Sequence, residues 1–322
     1  VLNTTSPQTA PNLDPGVRDF IRITGEAYVT HGGGLEKNAV NARLVAEKVR
    51  APWVAGGPVM FSTIERSIPT PHGDVRIRIY NPDSAANKPA MIYVHGGGWV
   101  MFSLDTHDRI MREYAARAGI CVIGVDYALS PEARFPVALE QVVAVVRHVH
   151  EQATSLDINP DRLALGGDSA GANLSLSAAL SLRDAGAGHM LRALVFDYGA
   201  FGIDLSPDDV RKYGGPDYML TAEEMTYFWA QYLTSDQDRS NPLAVPLLAD
   251  LHDLPPAFLC VPQCDVLTTQ SLLLDGRLRS AGVETRAVIY EGATHSFLEA
   301  VSISGVAEKA FSDAAVWLRE RL

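Results

Sequence analysis

The chain has 322 residues, with 27 Lys plus Arg against 38 Asp plus Glu, for a formal net charge of −11. At about 100–200 residues per domain this is one large domain or two ordinary ones. A hydrophobic share of 47% with 20% charged residues excludes disorder as a description of the whole. The acidic balance argues against nucleic acid, whose phosphates require clustered Lys and Arg. No apolar run approaches the ~18 residues of a membrane span.

Residues 1–15 form a polar lead punctuated by Pro7, Pro11 and Pro15. It has neither the basic n-region nor the apolar h-region of a signal peptide. From Val17 to Val49 apolar residues recur at helical spacing, as in Phe20, Ile23 and Ala27, then Leu44, Val45 and Val49. The turn His31-Gly32-Gly33-Gly34 divides this stretch into two helices, and the Gly- and Pro-rich run Pro52–Pro58 ends it. Ile64–Ile68 and Val75–Tyr80 then read as exposed strands. They are followed by apolar runs bounded by Gly or Pro: Ala90–Val94, Cys121–Val125, Leu163–Leu165, Ala193–Phe196, Ala257–Val261 and Ala287–Tyr290. Helical patterns at Val137–His150, Ala170–Arg183, Ser271–Ser280 and Val306–Leu322 lie between or after them. Strand and helix alternating in this way predict an α/β fold, a mainly parallel sheet with helices on both faces. The interval from about 202 to 251 has no strand but a helical stretch at Ala222–Leu233. With the N-terminal helices, such an insertion would cover one end of the sheet.

The strongest chemical signal is Gly167-Asp168-Ser169-Ala170-Gly171, which follows a strand and opens a helix. This is G-x-S-x-G in the context that gives it meaning: the glycines allow a sharp turn that thrusts the serine out at the strand end. The helix behind it points free N–H groups and its dipole at the same spot. The second signal is His95-Gly96-Gly97-Gly98-Trp99 after Met91–Val94, a loop whose backbone N–H groups can approach a substrate oxygen. The repeat at His31–Gly34 follows no buried strand and precedes a helix, which makes it a helix–helix loop; an anion site there is the lesser alternative.

A serine nucleophile needs a base, and the base needs an orienting carboxylate, in the chain order Ser, acid, His. Only His189, His252 and His295 follow Ser169. His295 stands just past the last strand. Asp265 follows the strand ending near Val261, with Asp197 as the rival acid. Ligands gather outside the carboxyl ends of parallel strands, so Ser169, Asp265 and His295 can converge there.

HGGGW at 95–99, GDSAGAN at 167–173, CDVL at 264–267 and YEGATHSF at 290–297 resemble the motifs of the bacterial hormone-sensitive-lipase-like carboxylesterases. With LDTHDRIM at 104–111 and DYALSPEARFP at 126–136, the chain is most similar to the acetyl-esterase branch. The likeness runs in order from about Ile64 to the C-terminus. It implies an α/β-hydrolase fold: a mostly parallel eight-stranded sheet flanked by helices, with a helical cap. The cap segment would span 1–60 and the catalytic domain 61–322, with the cap insertion at about 202–251.

By the same resemblance Ser169 is the nucleophile, His295 the base and Asp265 its orienter. The N–H groups of Gly97, Gly98 and Ala170 form the oxyanion hole, while His95 braces the glycine loop. Trp99 and Phe102 are expected at the substrate pocket. Met101-Phe102-Ser103 is bulky where the family has glycine, so Phe102 would narrow the pocket. Val266 and Thr269 leave Asp265 without the family's supporting carboxylate, and Ser296 stands where glycine is frequent.

The activity implied is hydrolysis of short acyl esters, acetyl to about butyryl or hexanoyl, through an acyl-enzyme. Amide or carbamate hydrolysis by the same triad is the alternative, and a ligand-binding protein without catalysis is the remote one. Asp126, Glu132 and Arg134 read as a structural ion-pair network, Asp168 as a loop-stabilising acceptor, and Tyr227, Phe228, Trp229 and Tyr232 as helix packing with at least one residue free to face the pocket. His148 and His150 point to different faces and make a poor metal pair. The cysteines Cys121, Cys260 and Cys264 read as buried thiols in a reducing cytoplasm. No metal or cofactor is expected. The expected partner is a small-molecule ester, with a homodimer left open.

Overall fold

The computed structural model describes residues 13–34, 36 and 38–322. The lead expected over 1–15 lies outside it as far as residue 12. Asp14 accepts the Val17 N–H at 3.1 Å and Pro15 occupies the first turn, so helix α1 runs Pro15–Gly32. The Gly33 N–H closes α1 on the Val29 carbonyl, and Asn38 caps α2, Ala39–Val54. His31–Gly34 is thus the end of one helix and the turn toward the next.

Eight strands follow among the described residues: β1 Ser62–Ile68, β2 Val75–Asn81, β3 Lys88–Val94, β4 Cys121–Asp126, β5 Ile158–Asp168, β6 Ala193–Asp197, β7 Ala257–Cys264 and β8 Thr285–Thr294. They form one sheet in the order β1-β2-β4-β3-β5-β6-β7-β8. β2 is antiparallel to β1 and β4, and the rest are parallel. The helices are α3 Asp108–Ala118, α4 Val137–Glu151, α5 Ala170–Asp184, α6 Pro207–Tyr213, α7 Ala222–Tyr232, α8 Thr268–Ser280 and α9 Gly305–Arg321. In β3, Ile92 packs into one core with residues of α4, α5 and α8, whereas Met91 and Tyr93 pack into the other with α3 and α9. A sheet buried on both faces explains the unbroken apolar runs of its inner strands.

Two boundaries differ from the sequence pattern. β5 and β8 begin before their apolar runs, because pairing starts earlier, at Ile158 opposite Lys88 and at Thr285 and Arg286 opposite Ala257 and Phe258. Helix α3 is not announced by an apolar run. Its sequence is charge-rich and laced with i, i+4 ion pairs (Asp108–Arg112, Arg109–Glu113, Glu113–Arg117), while Ile110, Met111, Tyr114 and Ala118 are buried.

The strandless segment 202–251 carries α6 and α7, and polar contacts fix it to the sheet. Gln270 of α8 takes the N–H groups of Phe201 and Gly202 on its oxygen and donates to the carbonyls of Gly202 and Asp204. Arg134 donates to the Ala230 and Leu233 carbonyls. The expected Asp126, Glu132 and Arg134 network is therefore corrected. Asp126 pairs with Arg76 at 3.0 Å, Glu132 with Arg43 at 2.7 Å, and Arg134 serves carbonyls instead of a carboxylate. Arg43 also donates to the Val100 and Ser130 carbonyls, which ties α2 to the glycine loop.

Gly171, in the first turn of α5, lies against the end of β3, and a Cβ there would sit 1.9 Å from the Val94 oxygen and 2.6 Å from that of His95. Gly171→Ala should therefore destabilise the protein by about 2 kcal/mol or more. The check is a lower denaturation midpoint at unchanged m-value; an unaltered midpoint would refute the close approach.

Candidate active site

β5, β7 and β8 are parallel, so their C-terminal ends face one way and bring Ser169, Asp265 and His295 together. Ser169 sits between β5 and α5 with φ 51° and ψ −117°, a strained conformation for a non-glycine residue. Its N–H donates to the Asp197 carbonyl at 2.8 Å, and its carbonyl accepts from Asn173 and Ala200, which fixes the turn on three sides. The Oγ lies 2.9 Å from His295 Nε2, and His295 Nδ1 lies 2.7 Å from Asp265 Oδ2. The other Asp265 oxygen takes the Leu267 N–H at 3.0 Å. At the Thr269 position, where the family's second carboxylate is missing, Asp209 of α6 accepts the Thr269 N–H at 3.1 Å. Tyr198, itself at φ 40°, packs edge-on against the His295 ring at 5.0 Å. All three side chains are buried, with the serine 7% exposed and so reachable from one side only.

Gly97 (φ +105°) and Gly98 (φ +58°) turn the loop after β3 in front of this row. The turn needs glycine twice over: a Cβ on Gly97 would meet the Met101 oxygen at 2.2 Å, and one on Gly98 would meet the Phe228 ring at 2.3 Å. Ala170 begins α5, so its N–H is one of the four at a helix start that lack an intrahelical partner.

Asp168 joins the loop to the serine turn. Its Oδ1 accepts the Gly96 N–H and the Tyr93 hydroxyl, each at 2.9 Å, and its Oδ2 faces His107 Nε2 at 3.4 Å. Burial presses the Asp168 carboxyl upward, but the charge and hydrogen bond of His107, with Tyr93, outweigh it and hold the group below its ordinary value. Burial likewise presses His107 down, and Asp168 carries it above the ordinary histidine value. His95 is held at about 4, by burial first and His107 second. Its Nδ1–H donates to the Gly96 carbonyl at 2.8 Å while its ring stacks on Tyr127.

A cavity of about 280 Å³ opens on this row. Its floor is Gly97, Gly98, Ser169 and His295, and Phe102 stands on its near wall. Its far walls are Ile21, Thr24 and Tyr28 of α1, Arg50 of α2, and Met219, Leu220, Met225 and Phe228 of the 202–251 segment. Phe102 is thus on the wall as expected. Trp99 is not: it is 1% exposed and stacks on Tyr232 at 4.3 Å beside Trp229, holding α7 to the glycine loop. Of the α7 aromatics, only Phe228 reaches this cavity. Arg50, Tyr28 and Met219 are absent from any sequence-level expectation, since nothing local in α1, α2 or the loop before α7 marks which face will meet the sheet.

Among the other candidates, Asp197 points away from His295 and accepts the Tyr114 hydroxyl at 2.7 Å. His252 is exposed beside Asp250, and His189 lies in a short helical turn, edge-on to His150. Among the described residues no cluster of His, Cys, Asp or Glu is placed to hold a metal. The three cysteines are free and buried, and among the described residues no helix is long and apolar enough to cross a membrane.

Fold and site together define a hydrolase of the α/β class, and the comparisons agree. The family model described as "alpha/beta hydrolase fold" matches residues 91–299. An acetyl esterase of Salmonella choleraesuis (strain SC-B67) is 37% identical over 273 residues, covering 84% of this chain and 83% of the relative. Among solved structures, a hyperthermophilic esterase from the archaeon Pyrobaculum calidifontis superposes with a TM-score of 0.87 at 31% identity, covering 96% of this chain and 98% of that one. A thermostable esterase from Pseudomonas putida ECU1011 gives 0.89 at 26%, covering 99% of both. The chain belongs to the α/β-hydrolase family, in its hormone-sensitive-lipase-like branch of carboxylic ester hydrolases.

Asp265→Asn should lower kcat for p-nitrophenyl acetate on the order of 10³–10⁴-fold, the scale seen when a triad carboxylate is replaced, whereas Asp197→Asn should stay within about tenfold of wild type. A larger loss in Asp197→Asn than in Asp265→Asn would reverse the assignment of the acid. Asp197 offers a second readout in stability. Burial, opposed by the Tyr114 hydrogen bond and aided by Asp168, pushes its carboxyl up to about 8 in the folded protein. The unfolded chain ionises it near the ordinary carboxylate value. Its contribution is therefore intact at low pH and is lost as pH rises from that value toward 8. The melting temperature of Asp197→Asn relative to wild type should rise steadily between pH 4 and 8.

Proposed function

We propose that the protein is a serine carboxylesterase acting on short acyl esters, with Ser169 as nucleophile, His295 as general base and acid, and Asp265 as its orienter. The observation that carries this reading is the relay itself, with Oγ to Nε2 at 2.9 Å and Nδ1 to the carboxylate at 2.7 Å beneath a glycine loop. As Ser169 Oγ bonds to the ester carbonyl carbon, its proton passes to His295 Nε2. Asp265 fixes the tautomer and stabilises the imidazolium. The carbonyl oxygen gains negative charge and is received by the N–H groups of Gly97, Gly98 and Ala170. Collapse breaks the bond to the alcohol oxygen, which takes the proton from His295 and leaves. Water then enters, gives a proton to His295 and bonds to the acyl carbon. The serine leaves with that proton and the carboxylic acid is released.

The enclosure supports a limit on chain length. A chamber of about 280 Å³ closed by Phe102, Met225 and Phe228 suits acetyl to about butyryl or hexanoyl groups. The acetyl esterase relatives point the same way. The helices within 1–60 and the 202–251 segment serve as the cap over the catalytic unit 61–322, since both supply walls of the chamber. The buried thiols of Cys121, Cys260 and Cys264 favour a cytoplasmic setting.

Ser169→Ala should abolish p-nitrophenyl acetate hydrolysis with the circular dichroism spectrum unchanged; near wild-type turnover would overturn the assignment. Across p-nitrophenyl esters from acetate to laurate, kcat/KM should peak at or below hexanoate. Matched esters and anilides should favour the ester.

A further inference from the structure

Phe102 combines three features found together nowhere else in the described chain. Its backbone is in the left-handed region at φ +73°, where a bulky aromatic residue is strained and glycine is not. Its ring lies on the cavity wall and presses on the glycine loop, close enough that a Cβ on Gly97 would be 2.8 Å from its Cδ2. The ring is also held on two sides by cationic or ring partners: the Arg50 guanidinium lies 5.0 Å from its centroid and the His107 ring 5.4 Å away.

The strain persists because the surrounding structure overdetermines it. On one side of Phe102, the Met101 N–H donates to the Gly97 carbonyl at 2.9 Å. On the other, the Ser103 hydroxyl donates to Glu47 of α2 at 2.7 Å, and its N–H donates to Thr106. The two flanking groups are themselves anchored. Arg50 pairs with Glu299 at 2.6 Å, both buried, and His107 faces Asp168 at 3.4 Å. A ring that only filled space would not need a strained backbone and two buried polar partners, Arg50 and His107, to hold it against the reactive loop.

We propose that Phe102 is the fixed wall that sets substrate size in the chamber, and that Arg50, paired with Glu299, is the positioning residue that holds its ring in place. This rests on the carboxylesterase reading above and deepens it. The wall is rigid, so size selection should be steep and should not adapt to longer chains.

The test uses purified full-length protein and two ester series: p-nitrophenyl esters of increasing acyl length, and acetates of increasing alcohol length. In Phe102→Ala and Phe102→Gly, the ratio of kcat/KM for the longer over the shortest member should rise about fourfold per added methylene admitted, in the series whose chain meets the wall. Phe102→Trp should lower the same ratio. Phe102→Gly should melt no lower than Phe102→Ala, because glycine tolerates the positive φ. The double variant Arg50→Met/Glu299→Leu removes the pair without leaving one buried charge alone, and should shift the ratio in the same direction as Phe102→Ala. Phe102→Leu keeps apolar packing and serves if the smaller variants do not fold. Ratios unmoved in both series would overturn the wall, and a double variant with the wild-type ratio would overturn the role of Arg50. A wild-type protein inactive on every ester would refute the underlying esterase reading instead.

Discussion

The site depends on one close approach of backbone to backbone. Where β3, β5 and the first turn of α5 meet, Gly167 and Gly171 leave room for the Val94 carbonyl at distances no Cβ could tolerate, 2.1 and 1.9 Å from the ideal position. That approach brings the end of β3 alongside the serine turn, so the glycine loop after β3 faces Ser169 directly. Asp168 then fastens the two together by accepting the Gly96 N–H. With the loop and the helix start fixed relative to each other, the N–H groups proposed for the oxyanion hole need no rearrangement as charge develops, which is what gives preorganised donors their effect.

Around this junction the backbone carries an unusual amount of strain. Trp99, Phe102, Ser169, Tyr198 and Ser296 all have positive φ, and all lie on or beside the segments that frame the row. Three of them are visibly retained by other contacts. Trp99 is stacked under Tyr232, Ser169 is bonded through its N–H and carbonyl, and Phe102 is flanked by Arg50 and His107. The ionisable groups below the loop have partners, Asp168 facing His107 and Glu299 facing Arg50. A buried charge without a partner would cost several kcal/mol, so these pairs keep the region ordered and leave the reactive row unencumbered.

The proposed cap is held by a different kind of contact. Arginines and a glutamine reach backbone carbonyls and N–H groups: Arg43 to Val100 and Ser130, Arg134 to Ala230 and Leu233, Gln270 to Gly202 and Asp204. Such contacts fix the path of a chain without requiring a long regular element. The 202–251 segment can therefore contribute chamber walls from α7 and from the irregular chain just before it.

The sequence by itself determined the parts whose physics is local. Doubly buried strands show as apolar runs, and the serine turn shows as glycines at fixed offsets between a strand and a helix. The candidates Asp265 and His295 follow from their positions just past strand ends, because parallel strands point their carboxyl ends one way. The tertiary structure decided what depends on meeting residues far apart in the chain. Trp99 follows the glycine loop at once, yet packs under α7 instead of lining the chamber; Arg50 and Tyr28, over a hundred residues before Ser169, line it. Arg134 finds carbonyls instead of an acid, and α3 forms where charged residues hide its buried face. Strand ends and turns are read from neighbouring residues, whereas the chamber wall is set by how separate segments pack across the sheet. No local pattern encodes that packing.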